Sequence, residues 1–177
     1  MKRILSIIFL VGLANTCFAQ TWKATTATVT FKIKMLGSTV DGSFKGFSGK
    51  FLFDPNNLKN SSLSASVDVN TVFTDNSLRD RHLKEKEYLF NAGKYPVLKM
   101  TSTNIEKDGN NYIGYFDLTM KGITKNIKLP FSFKQDGEKA SFQGSALINR
   151  KDWSVGGSTL GMSSDVTFTI AVNAIKE

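Results

Sequence analysis

Residues 112–120 read YIGYFDLTM, and Tyr112, Gly114, Phe116, Leu118 and Met120 stand at every second position of it, with Asp117 and Thr119 among the residues between. A period of two puts one set of side chains on each face of an extended chain, so this run is a strand buried on one face and wet on the other. The pattern continues toward the C-terminus. Ile127, Leu129, Phe131 and Phe133 form the next run, then Phe142, Gly144, Ala146 and Ile148, then Val166, Phe168, Ile170 and Val172. Toward the N-terminus, Ala27, Val29, Phe31 and Ile33 alternate with Thr28, Thr30, Lys32 and Lys34, and Leu63, Ala65, Val67 and Val69 alternate with Ser64, Ser66, Asp68 and Asn70. Residues 40–54 and 97–105 complete about eight strands. Turn signals such as DGNN at 108–111 and QDG at 135–137 join them.

One segment departs from this pattern. Residues 77–90 are rich in helix formers, Leu78, His82 and Leu89 fall at i, i+4 and i+11, and Asp75 or Asn76 is placed to cap the start. The spacing predicts a single amphipathic helix inserted among strands.

With 177 residues, 41% of them hydrophobic and 21% charged, the composition is globular and sufficient for one core. One His and one Cys exclude a Cys₄ or Cys₂His₂ zinc site, an HExxH site and a CxxC redox pair. The first nineteen residues read as a secretory signal peptide: Lys2 and Arg3 precede an apolar run from Ile4 to Leu13, and Cys17, Phe18 and Ala19 place small residues where cleavage is determined. The run is too short to cross the ~30 Å hydrocarbon layer as a helix. Cleavage after Ala19 would leave one domain, residues 20–177, without cysteine, in a periplasmic or secreted setting. A lipoprotein cut before Cys17 is the alternative, and Asn15 and Thr16 fit it poorly. Without Lys2 and Arg3 the 23 basic residues fall by two to 21 against 15 acidic, a net charge of +6. That excess is scattered on the polar faces of strands, which speaks against a nucleic-acid partner.

Eight antiparallel strands, each with one apolar face, close as a barrel or stack as a two-sheet sandwich. The interior of an eight-stranded barrel holds packed side chains or one small ligand. Gly114, Gly144, Ala65 and Ala146 on the inward faces either leave room along the axis or merely accommodate the neighbouring Phe rings. Periodicity leaves both readings open.

An ordered series of short motifs narrows the choice. VDGSF at 40–44, FSG at 47–49, FD at 53–54, LRDRHL at 78–83, Phe90, YP at 95–96, LTMKGITK at 118–125 and NRKDW at 149–153 resemble the YceI-like family over essentially the whole chain after residue 19. The resemblance implies an all-β fold, an extended eight-stranded antiparallel lipocalin-like barrel with one inserted α-helix. It further implies a secreted bacterial protein that holds a polyisoprenoid, an isoprenoid quinone or a fatty-acid-like chain, with no cofactor. Near Met100 the family's usual aromatic is replaced by Met.

The alternation then supplies candidate lining residues. They are Phe31, Ile33 and Phe44 in the first two strands, Val67, Val69, Leu98 and Met100 in the next two, Phe116, Leu118, Leu129 and Phe131 in the middle pair, and Phe142, Ala146, Phe168 and Ile170 in the last pair. Candidate head-group contacts are Arg79, His82, Arg150 and Trp153, where a cation beside an indole suits a phosphate or quinone. The structural alternatives are a histidine packed under the helix, Arg79 and Asp80 paired with neighbouring loops, and a surface turn at Arg150. No GxSxG elbow, P-loop or dinucleotide fingerprint occurs, so a hydrolase would have to act through His82 alone. An outer-membrane barrel requires an apolar lipid-facing band, whereas the outward positions here carry Thr, Ser, Lys and Asp. No stable membrane insertion is therefore expected, and a homodimer is compatible with the sequence.

Overall fold

In the computed structural model, which describes residues 20–177, the alternating runs become eight antiparallel strands that close on themselves. The strands are β1 (Thr21–Met35), β2 (Ser38–Leu52), β3 (Ser62–Phe73), β4 (Val97–Asp108), β5 (Asn111–Met120), β6 (Ile123–Asp136), β7 (Lys139–Asn149) and β8 (Met162–Lys176). Each pairs with the next and β8 returns to β1, so the structure is a barrel and not a sandwich. The proposed signal peptide, residues 1–19, lies outside the described residues.

Strand direction sorts the connections to two ends. At one end are the β1–β2 and β5–β6 turns, the long β3–β4 connection and the β7–β8 connection. The β2–β3, β4–β5 and β6–β7 connections lie at the other, and aromatic rings close that end. Phe53 is 0% exposed, with its ring centroid 5.0 Å from Tyr112, 4.8 Å from Phe133 and 5.7 Å from Phe142. The indole N–H of Trp22 donates to the Phe53 carbonyl at 3.0 Å, so this buried polar edge is satisfied. Gly114 and Gly144 serve the same packing. A Cβ on Gly114 would lie 2.3 Å from the Phe116 ring, and one on Gly144 would lie 3.1 Å from Phe131. At Gly114 the small residue makes room for a ring, and at Gly144 for the neighbouring β6 strand.

The helix is shorter than its sequence predicts. Helix α1 spans Ser77–Glu85, with the Asn76 side chain accepting from the Arg79 N–H as its cap. Lys86 turns extended, and the chain reverses so that the Phe90 N–H bonds the Leu83 carbonyl at 3.1 Å. Leu89 and Phe90 are thereby buried in the barrel end outside the helix, while Leu78 stays exposed. Burial of two large apolar side chains outweighs the helix propensity of the Lys and Glu residues before them.

The β1–β2 seam is interrupted. Pairing runs to Trp22 with Phe51, stops, and resumes in the same register at Val29 with Phe44. Over residues 23–28 and 45–50 the two strands pair only with β8 and β3, respectively, and both ladders carry bulges there. In β2 the inward set changes parity from Phe44 to Phe47 across Gly46, whose φ of +67° only a residue without Cβ adopts readily.

Candidate functional site

Above the aromatic plug the barrel is hollow. A cavity of about 410 Å³ opens at the end that carries α1, within the size range of small-molecule sites. Its wall includes Phe31, Ile33, Phe44, Val67, Leu98, Met100, Leu118, Phe168 and Ile170, which places nine of the fifteen lining candidates on it. Ala65, Val29, Met120 and Phe90 also line it and were not among those candidates. Each sits on an alternating face or beside α1, but alternation gives direction and not height.

The remaining six candidates lie elsewhere. Phe116, Leu129, Phe131 and Phe142 surround a separate void of about 50 Å³ in the packed half. Val69 and Ala146 are buried in the core and border neither space. All six point inward as their parity requires, at heights where protein fills the barrel.

Of the polar candidates, Arg79, His82 and Arg150 all line the cavity near its mouth. Arg79 is held by Thr74: its Nε donates to the Thr74 hydroxyl at 2.7 Å and Nη2 to the Thr74 carbonyl at 2.6 Å. Asp80 is buried and binds the same hydroxyl at 2.5 Å, so Thr74 joins the pair to the end of β3. His82 lines the wall from α1.

Arg150 is not on a surface turn. It is 4% exposed, and its guanidinium donates to the carbonyls of Ser163 (2.7 Å), Val155 (2.5 Å), Met162 (3.1 Å) and Gly157 (3.3 Å). Burial lowers its pKa from the ordinary value, yet a guanidinium remains charged at neutral pH. The residue therefore gathers the β7–β8 connection around a cation at the cavity rim. Trp153 is a correction to the head-group set: it is 1% exposed, does not reach the cavity, and donates its indole N–H to the Leu118 carbonyl at 3.0 Å. Lys121, at the β5–β6 turn, ties two rim connections together by bonding the Glu87 carbonyl at 2.8 Å and the Ser154 carbonyl at 2.9 Å. Among the described residues no cluster of three metal-ligating side chains occurs.

The site is thus a one-ended apolar sleeve with three basic side chains at its opening. Residues 21–174 match the family model of the YceI-like domain. A UPF0312 protein from Pectobacterium atrosepticum is 35% identical over 158 residues, covering 85% of this chain and 82% of that protein. Among solved structures, BcnA from Burkholderia cenocepacia superposes with a TM-score of 0.79 at 25% identity, over 84% of this chain and 96% of its own. A polyisoprenoid binding domain from Saccharophagus degradans, implicated in plant cell wall breakdown, gives a TM-score of 0.68 over 90% of this chain and 99% of its own. It is 18% identical, a likeness of fold.

Proposed function

This chain belongs to the YceI-like domain family, and from that premise we propose that it binds a long amphiphilic lipid without catalysis: a polyisoprenoid, an isoprenoid quinone or a fatty-acid-like chain. The observation that carries this reading is the cavity itself, apolar along its wall and closed below by rings, with Arg79, His82 and Arg150 at its mouth. An apolar chain gains ~0.8 kcal/mol per CH₂ taken out of water, less the cost of ordering it, so length and a dry wall suffice for affinity. The basic rim suits a phosphate, carboxylate or carbonyl head. The fold-level likeness to a domain described as polyisoprenoid binding supports the same class of ligand. Asp80, the buried carboxylate nearest His82 in sequence, accepts from the Thr74 hydroxyl, which in turn accepts from Arg79, an arrangement that ties the helix to the end of β3. The exposed lysines on the outer wall, among them Lys32, Lys34, Lys125 and Lys128, support a barrel that does not face lipid with its outside.

Organic extraction of the purified protein followed by mass spectrometry tests the reading, and a stoichiometric isoprenoid or fatty chain is the expected result. Ala65 supplies the sharper test. Its side chain lines the cavity, so Ala65→Trp should fold with near wild-type stability and lose most co-purifying lipid. Ala146, in contrast, is packed in the core, so Ala146→Trp should cost about 1–3 kcal/mol through overpacking. An Ala65→Trp protein that keeps its full lipid load would place the ligand elsewhere.

We propose also that the chain is exported and begins at Gln20 once processed. Intact mass of the exported protein should match residues 20–177, and a lipid-modified Cys17 would overturn this.

A further inference from the structure

The large apolar side chains left exposed are not spread evenly. Leu36, Phe73, Leu78, Tyr88, Val97 and Leu160 belong to the mouth or to strand ends beside it, Leu147 lies on the outer wall, and Ile175 is near the closed end. The two at the tips are the most exposed, Leu36 at 75% and Leu160 at 92%. They are also adjacent. The Leu36 N–H donates to the Gly161 carbonyl at 2.8 Å, and the Leu36 side chain lies so close over Gly161 that a Cβ there would be 2.3 Å from it.

Leu36 breaks a local rule. It and Gly37 form the β1–β2 turn with φ of +51° and +81°, a two-residue hairpin turn whose first position favours Asn, Asp or Gly. Lys121 has the same conformation in the β5–β6 turn, but there its ammonium binds two carbonyls. The Leu36 N–H bond to Gly161 is a main-chain contact any residue would make, and its side chain, packed on Gly161, stays 75% exposed. A strained leucine held out in water at the rim of a cavity points to a role outside the fold.

Charge follows the same asymmetry. The connections at the mouth, residues 36–37, 74–96, 121–122 and 150–161, hold eight basic residues against five acidic. Those at the closed end, residues 53–61, 109–110 and 137–138, hold one against two.

We propose that the mouth is a membrane-docking surface: Leu36 and Leu160 enter the head-group layer of a leaflet, the basic connections meet anionic lipid, and the cavity opens onto the surface from which its ligand comes. This rests on the lipid-binding reading. The most exposed of these side chains are two aliphatic ones on neighbouring tips, set among connections with a basic excess, which matches an anionic lipid surface. They suit shallow, reversible insertion aided by anionic lipid.

The experiment is sedimentation with phosphatidylcholine vesicles, with and without phosphatidylglycerol. The full chain is expressed, and variants differ at one residue, so the amino terminus is common to all. The wild type should pellet with the anionic vesicles, less so as salt is raised. Leu36→Asn suits the turn and should keep or raise the thermal midpoint while lowering partition roughly tenfold, the factor that burying one leucine represents. Leu160→Asn should act alike. Uptake of cis-parinaric acid from dilute solution is measured in parallel and should be unchanged in both variants. Uptake without pelleting, or variants that pellet like wild type, would overturn the docking proposal alone. A protein partner captured through the same leucines by a protein indifferent to vesicles would overturn it too. Failure of the wild type to take up parinaric acid would overturn the lipid-binding reading on which it stands.

Discussion

Phe53→Ala is expected to lower the stability of the barrel by about 3–5 kcal/mol, the range for deleting a fully buried ring. The ring is 0% exposed and meets Tyr112, Phe131, Phe133 and Phe142, each at a centroid distance below 6 Å. Its neighbours cannot close the void cheaply. They are held by one another, with Phe133 and Phe142 4.9 Å apart and Tyr112 stacked on Phe131 at 5.4 Å. The backbone bonds of residue 53 survive the substitution, so the loss measures packing. Urea unfolding should show a lower midpoint at unchanged slope. The ligand cavity lies above this cluster and does not include Phe53, so the folded variant should still carry its lipid. A loss below about 1 kcal/mol would mean that the plug is loosely packed.

Arg150→Ala is expected to cost roughly 3–5 kcal/mol, because two carbonyls of the β7–β8 connection and two at the start of β8 lose their donor at once and a buried acceptor without a partner costs about 1–3 kcal/mol. Arg150→Lys should recover less than half of this. An ammonium is a compact charge on one nitrogen and cannot reach carbonyls that the planar guanidinium addresses from three. Because the same connection forms the rim, either variant should also release lipid faster than wild type. Urea denaturation and the rate of parinaric acid loss check the two effects separately. Full rescue by lysine would show that charge, and not the fan of hydrogen bonds, is what the rim requires.

The eight strands and their inward faces are legible in the sequence because a half-buried strand writes its burial into every second residue, and the pattern from Tyr112 to Met120 survives in the structure unchanged. Height along the barrel is not written in that way. Ala65 and Ala146 have the same size and both point inward, but Ala65 borders the cavity and the small void beneath it whereas Ala146 borders neither, and only closure of the barrel tells them apart. Helix α1 is overread for a related reason. Residues 84–88 are local helix formers, whereas the burial of Leu89 and Phe90 that ends the helix is a contact with the distant β2 ring Phe44, 5.7 Å from Phe90. The parity change between Phe44 and Phe47 was a readable sign of the bulge at Gly46. Arg150 stands out in the sequence as a cation beside an indole, but its burial does not, since its carbonyl partners lie five to thirteen residues on, in the connection and at the start of β8.

A barrel ordinarily escapes the hazard of sheet edges by having none. The parted seam between β1 and β2 returns two short edges to this one, six residues on each side, where the two strands form no ladder with each other. Lys23 on one side and Lys45 and Lys50 on the other are exposed along that opening. A strand from another molecule could add here only by stripping water from these ammonium groups, the same safeguard that open sheets place on their margins. The lysines that look like scattered surface charge thus include a guard that keeps one barrel from zipping onto the next.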